Sequence, residues 1–302
     1  MIDNIKFRIT DADKLRFESG IENNDLISLK SPFDRFTGEA SDYPKVGKLE
    51  NLEIRITQNQ AIVKGSIHKY YNLITGAGNQ NHSDFSFKQC EFAINNLCDT
   101  LQINKEETII TNLEFGFNIT VNKDPKILIN KHILMYDLKD HNRKLNYRGK
   151  GSYKEFEKTD YSLKLYDKGK QYLVIDKNLL RVELKITGSR YLHKMGIINL
   201  NQLGNYAFKS LFSAFLNHFN KIMIVDSLKA PEGVREDQIF LFKNCINPNH
   251  WSNIKSEEKK ETLRDFIKLI KKYNQNKIHS VLRDDIIKKY YLLMNIKSLQ
   301  NE

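Results

Sequence analysis

Apolar and polar residues alternate with period two in four stretches of the first two hundred residues: 60–72, 109–120, 161–168 and 179–187. Such alternation predicts strands with one apolar and one polar face. A shorter candidate, EIRIT over 53–57, precedes the first. Residues 85–103 break the pattern, because Phe87, Phe92, Ile94, Leu97 and Leu101 recur at helical spacing. Beyond residue 200 the period changes to that of a helix. One stripe runs through Phe208, Leu211, Phe212, Phe215, Leu216 and Phe219; a second through Leu263, Phe266, Ile267 and Ile270; a third through Val281, Leu282, Ile286 and Leu293. Three amphipathic helices follow. The order predicts an α+β fold: a mostly antiparallel sheet domain over 1–200, then a helical segment over 201–302. GSIHKYYN and GSRYLHKMG, each after an alternating strand, form a faint internal echo.

Alternation also sorts residues by face. Leu113, Phe115 and Phe117 oppose Asn112, Glu114, Gly116 and Asn118. Leu180, Val182, Leu184 and Ile186 oppose Arg181, Glu183 and Lys185. In YSLKLYDK, Tyr166 stands between Lys164 and Lys168, away from Leu163 and Leu165. His68 shares a face with Lys64 and Ser66. If these strands lie in one sheet, a single polar surface carries a tyrosine, two glutamates, a histidine and several lysines. Two carboxylates with amide or imidazole help suit a hard cation such as Mg²⁺ or Mn²⁺. A tyrosine there can attack phosphorus, and lysines can stabilise the charge that develops. Equally, Glu114 and Glu183 can be plain cross-strand partners of Lys164 or Lys185. Periodicity leaves that open, because it does not say which strands are neighbours.

The formal charge of +11, with a pI near 9.3, favours an anionic partner, nucleic acid or an anionic membrane surface. Part of the excess is local: residues 139–170 hold ten Lys or Arg against five Asp or Glu. There Tyr147, Tyr153 and Phe156 are interleaved with Arg148, Lys150 and Lys154. Cations that track phosphates and rings that stack on bases suit a melted strand, though a soluble basic loop has the same composition. The three cysteines, Cys90, Cys98 and Cys245, lack metal-finger spacing, and their odd number fits a reducing compartment. With no apolar leader at the N-terminus and no apolar run near the roughly 18 residues of a span, the expectation is a cytoplasmic protein without membrane partners.

The segments LLRVELKITGSRYLHKMG (179–196), YSLKLYDKGKQ (161–171) and TIITNLEFGFNIT (108–120) together resemble the filamentous-phage gene II/X-type replication initiators. The short YDK and RVE elements are also similar to the trans-acting initiators of rolling-circle plasmids and to conjugative relaxases. The sharp part covers residues 161–196. The sequence departs from the phage pattern in carrying Glu114 where the family has aspartate, and it lacks a His-hydrophobe-His metal motif. The resemblance implies a site-specific DNA nicking-closing enzyme that starts rolling-circle replication through a 5′-phosphotyrosine. It implies Tyr166 as nucleophile, with Lys168 and Lys164 on the phosphate. Mg²⁺ or Mn²⁺ would be held by Glu114 and Glu183, with His68 and Asn118. DNA would be gripped by Arg181, Lys185, Arg190, Arg148, Lys150 and Lys154. Origin DNA, single-stranded and duplex, would be the partner, with a host helicase and polymerase. Lys268, Lys271, Lys272, Lys288 and Lys289, off the apolar stripes of the last helices, offer a surface for the duplex, or are solvated on helices that only cap the sheet. A mobilisation relaxase and a non-enzymatic origin-binding protein are the alternatives.

Overall fold

The computed structural model describes residues 1–144, 147, 149–173 and 178–295. Its strands are β1 (Ile2–Thr10), β2 (Lys45–Leu49), β3 (Leu52–Ile56), β4 (Gln60–Ser66), β5 (Thr108–Thr120), β6 (Ile133–Tyr136), β7 (Tyr153–Glu157), β8 (Tyr161–Asp167), β9 (Leu179–Ile186) and β10 (Ile222–Ile224). Its α-helices are α1 (Asp11–Glu22), α2 (Ile67–Ile74), α3 (Phe87–Thr100), α4 (Pro125–Ile127), α5 (Lys168–Tyr172), α6 (Ser189–Lys194), α7 (Asn205–Phe219), α8 (Glu236–Cys245), α9 (Pro248–Asn253), α10 (Ser256–Lys272) and α11 (Lys277–Leu293). Eight strands form one sheet in the order β2-β3-β4-β1-β5-β9-β8-β7, with every pair antiparallel. Strands β6 and β10 pair separately. The fold is α+β, as the change of period predicts.

The long central strand β5 ties the layers together. Its apolar face turns Phe115 and Phe117 edge-on to Phe208, Phe212 and Phe215 of α7, with ring centroids 5.2–6.1 Å apart. Tyr290 of α11 stacks flat on Phe212 at 3.7 Å. Helices α7 and α11 therefore share the sheet's core. A second, smaller core gathers Phe242, Cys245, Trp251, Phe266 and Leu269 of α8–α10 around Met135 and Val225. Two predicted stripes are rotated. Phe92 and Val281 are more than half exposed, while α3 buries Cys90, Ala93 and Cys98 instead. Small residues carried the packing face that the larger aromatic only appeared to mark in the sequence.

Two strands stop earlier than alternation predicts, and each stop moves a candidate residue. Strand β4 ends at Ser66, whose hydroxyl accepts the Lys69 amide at 3.1 Å and caps α2. His68 is thus helical and not on a strand face with Lys64. Strand β8 ends at Asp167, whose carboxylate accepts the Lys170 amide at 2.9 Å and caps α5. Lys168 opens that helix. The sequence echo has the same physical content: β9 also runs straight into a helix, α6, after Gly188.

Strand β1 was not anticipated, and it lies at the centre of the sheet between β4 and β5. Ile2 pairs with Phe115 and Ile5 with Leu113, so Asp3 and Asn4 together oppose Glu114. This is a β-bulge, and it breaks the alternation that would have revealed the strand. It also aims two polar side chains at the polar face. On the neighbouring side, Gly116 pairs with Glu183. A Cβ on Gly116 would lie 2.8 Å from the Glu183 Cα and still closer to the Val182 carbonyl. Gly116→Ala is therefore expected to lower the unfolding free energy by about 1–3 kcal/mol. Urea denaturation checks this, and wild-type stability would show that β5 and β9 have room to separate.

Candidate active site

The polar faces of β1, β5, β9, β8 and β7 form the floor of a cleft of about 490 Å³. Asp3, Glu114, Glu183, Lys164, Lys168, Tyr166, Tyr153 and Tyr147 all line it. Antiparallel register explains the gathering: Lys164 pairs with Glu183, Tyr166 with Arg181, and Tyr153 with Tyr166. One guanidinium organises the far end. Arg181 donates to Glu183 Oε2 at 2.7 Å, to Asn118 Oδ1 at 3.1 Å and to Asp3 Oδ2 at 3.2 Å. Asp3 also accepts from Ser66 and, at 2.6 Å, from Asn81. Lys164 bridges the glutamates, with Nζ 2.7 Å from Glu114 Oε1 and 3.2 Å from Glu183 Oε1. Glu114 accepts a further bond from Asn4. The Tyr166 hydroxyl points at Glu183 Oε2 across 3.4 Å, a long contact. Lys168 Nζ stands 5.3 Å from the centre of the Tyr166 ring and 5.0 Å from that of Tyr172.

Burial sets the electrostatics. It would raise Asp3 and Glu183, but Arg181 on the first, and Lys164 with Arg181 on the second, hold both below the usual carboxylate range. Glu114 goes the other way. Burial and the nearby Glu183 charge raise it, despite its own bond to Lys164. Glu183 is thus the fixed anion, and Glu114 is the carboxyl that takes a proton first. Burial and the Glu183 charge push the Tyr166 phenol well above its ordinary value, so it rests neutral. Burial and Arg181 lower the Lys168 ammonium to about 8.

The residues expected to hold a cation are not assembled as ligands. His68 turns Nε2 to the Ser83 hydroxyl at 3.1 Å and stacks on Phe85. Burial, above all, pushes its imidazole down to about 3. The Asn118 oxygen is taken by Arg181, and its amide nitrogen donates to the His82 carbonyl at 3.1 Å. Glu114 and Glu183 do face each other, but Lys164 fills the space between them. Among the described residues no group of three or more His, Cys, Asp or Glu could hold a metal ion. The donor set as it stands does not fit a divalent cation, and the cross-strand pairing with Lys164 is what the geometry contains.

The expected DNA-contacting cations scatter. Arg181 is fully engaged in the cleft and 2% exposed. Lys185 pairs opposite Glu114 and is half-buried. Lys150 and Arg190 are exposed, outside the lining of the cleft. Lys154 is no surface cation: it points into the protein and donates to the Ile133 carbonyl at 2.6 Å. Arg148 lies outside the described residues. The sequence reading missed Asp3, Asn4, Asn81 and Glu155. Glu155 was legible in principle, since Tyr153 and Glu155 alternate with Lys154 and Phe156 in YKEFE. The run of Lys and Arg around it masks that alternation.

No protein-family model matches the chain, and no curated protein matches it. Among solved structures the chain is similar to a rolling circle replication initiator protein from Geobacillus stearothermophilus. The two are 12% identical, the match covers 82% of this chain and 96% of that one, and the TM-score is 0.42.

If Lys164 occupies the place between the glutamates, removing its ammonium opens it to a cation. Mn²⁺ is expected to bind Lys164→Met about tenfold or more tightly than wild type, roughly 1.4 kcal/mol. Electron paramagnetic resonance titration reads this directly. Equal affinity would show that Lys164 does not guard the carboxylate pair.

Proposed function

We propose that this protein cuts and rejoins one strand of DNA through a phosphodiester to Tyr166, and so starts rolling-circle replication. The observation that supports the reading most is a neutral phenol at the floor of an open cleft, flanked by Lys164, Lys168 and Arg181 and facing a carboxylate. Hydroxyl, acceptor and fixed cations are the parts that transesterification at phosphorus needs. The family resemblance of residues 161–196 gives the reading its substrate, and the charge of +11 suits that substrate.

The resting site is held off. Glu183 is a poor base while Lys164 and Arg181 both neutralise it. An incoming phosphate competes for Lys164, the one of the two cations that lines the cleft, which raises the proton affinity of Glu183 just where the Tyr166 proton must go. The phenolate oxygen then bonds to phosphorus, and the 3′-oxygen leaves with the electron pair of the broken bond. Phosphate charge is met by Lys164 and Lys168. The 5′-phosphotyrosine keeps the bond energy, so rejoining needs no nucleotide. No step is assigned to Mg²⁺ or Mn²⁺. Lys271, Lys272 and Lys288 are exposed on α10 and α11 and serve the duplex beside the nick in this reading.

The test uses supercoiled plasmid carrying the protein's own gene and flanking sequence. Wild type is expected to relax it and to leave a covalent protein–DNA adduct on a denaturing gel. Tyr166→Phe should fold and bind but give neither product. Binding without any nick would favour the non-enzymatic origin-binding reading, and nicking coupled to strand export a mobilisation relaxase.

The pH profile adds an independent check. The Lys168 value of about 8 lies below the ordinary lysine range, so its positive charge is present below pH 8 and lost above it. If that charge assists the step, the single-turnover nicking rate should turn over near pH 8. Lys168→Gln should be slower and lack that limb. A limb unchanged in Lys168→Gln would assign it to another group.

A further inference from the structure

The polar face of the sheet does not end at the cleft. On β1, Lys6 and Arg8 follow Asn4 on the same side of the strand, since Ile5, Phe7 and Ile9 between them are buried. Register carries that face outward over β4, β3 and β2. One row runs Lys6, Lys64, Glu53, Lys48, and the next runs Arg8, Ile62, Arg55, Val46. Arg8, Lys48, Arg55 and Lys64 are exposed, and the one acid in these rows, Glu53, is bonded to Lys64 at 3.0 Å. Helix α1 lies behind the sheet, where Lys45 on the opposite side of β2 holds its Glu18 and Glu22. The basic face is thus open, about 14 Å across from β1 to β2 at roughly 4.8 Å per strand. At the far edge, the chain entering β2 folds into a hairpin. Lys30 and Val46 exchange backbone bonds at 2.9 Å, and Phe33 bridges to Ala40. Its tip is fixed by its own bonds: the Asp34 carboxylate accepts the Phe36 amide at 2.7 Å and the Thr37 amide at 3.2 Å. That turn holds Phe36 entirely in water, with Phe33 63% exposed and Arg35 between them exposed as well. Over 30–46 the charges balance, Lys30, Arg35 and Lys45 against Asp34, Glu39 and Asp42. The sheet face supplies cations, and the hairpin supplies rings.

We propose that this face and the Phe36 hairpin hold the single strand of DNA that leaves the cleft, with its phosphates on Lys6, Arg8, Lys64, Arg55 and Lys48 and an unpaired base stacked on Phe36. The inference rests on the reading of the cleft as a site that cuts DNA. Continuity with the cleft and charge complementarity argue for this occupant. Asn4 and Ser66 line the cleft, and Lys6 and Lys64 are the next residues on the same faces of their strands. Along Arg8, Ile62, Arg55 and Val46, exposed cations alternate with half-buried apolar side chains. That mixture suits an unpaired strand, whose phosphates take the charge and whose base faces cover the apolar ground. A paired duplex turns its phosphates outward and gives Ile62 and Val46 no base faces to meet. The strand therefore runs on the β2 side of the cleft, away from the basic stretch over 139–170.

The experiment measures binding of a fluorescent single-stranded thymidine oligonucleotide of about twelve nucleotides to the full-length protein over a range of salt. Wild type is expected to bind it, with an affinity that falls as salt rises. Phe36→Ala should weaken binding at least about fivefold and leave the salt slope as it was, because a ring is lost and no charge is. The combined variant Arg8→Gln, Lys48→Gln, Arg55→Gln should lower the slope of log affinity against log salt by about 2, at roughly 0.7 for each phosphate contact. All four side chains are exposed, so the changes spare the core. Failure of wild type to bind would overturn the proposal, as would unchanged affinity in Phe36→Ala or an unchanged slope in the combined variant. Losses confined to a duplex of the same length would overturn it in favour of a duplex surface. The Tyr166 adduct is scored separately in the plasmid assay, so failure of that reading and failure of this one are told apart.

Discussion

A single buried guanidinium holds this molecule's polar interior together. Arg181 reaches Asp3 on β1, Asn118 on β5 and Glu183 on its own strand, all at hydrogen-bonding distance and all away from water. An arginine is the side chain for this task, because its planar fork presents several fixed donors and it does not lose its charge. Buried carboxylates without such a partner would take up protons or open the sheet. Through Asp3 the same contact pins the first strand against one almost two hundred residues later. The tyrosine, the lysines and the remaining glutamates take their places relative to that frame.

The consequence for chemistry is a site tuned by competition for cations. Glu183 is strongly anionic and Glu114 is raised, although both bond to Lys164. The difference lies in the second cation, since Arg181 serves Glu183 and not Glu114. An anion entering the cleft would shift this balance, because the Lys164 ammonium is shared between the two carboxylates. The apolar face of the same sheet supplies rigidity, with α7 and α11 packed ring against ring on β5.

Much of this was legible in the sequence. Period two marked β3, β5, β8 and β9, and it put Glu114, Glu183, Lys164 and Tyr166 on polar faces, where they are. What escaped has identifiable causes. The bulge at Asp3 and Asn4 erased the alternation of β1, so the residue on which Arg181 depends stayed hidden. Helix caps at Ser66 and Asp167 ended two strands early, which carried His68 off the strand and moved Lys168 onto a helix. Neighbourhood across a sheet is not written in any one strand. The choice between a metal-holding pair of glutamates and a lysine-bridged pair therefore required the register of β8 against β9. Lys154 and Glu155 show the cost of reading charge without period: the first points inward and the second belongs to the cleft.

Arg181 couples the strands through charge, and a double-mutant cycle in urea between Arg181→Met and Asp3→Asn measures that coupling. Each change alone leaves buried charge without its partner, and such losses run to about 3–5 kcal/mol. The pair of changes is expected to cost less than the sum of the two, with a coupling of at least about 1 kcal/mol. Additive losses within about 0.5 kcal/mol would contradict the account, because the contact would then not be what joins β1 to β9.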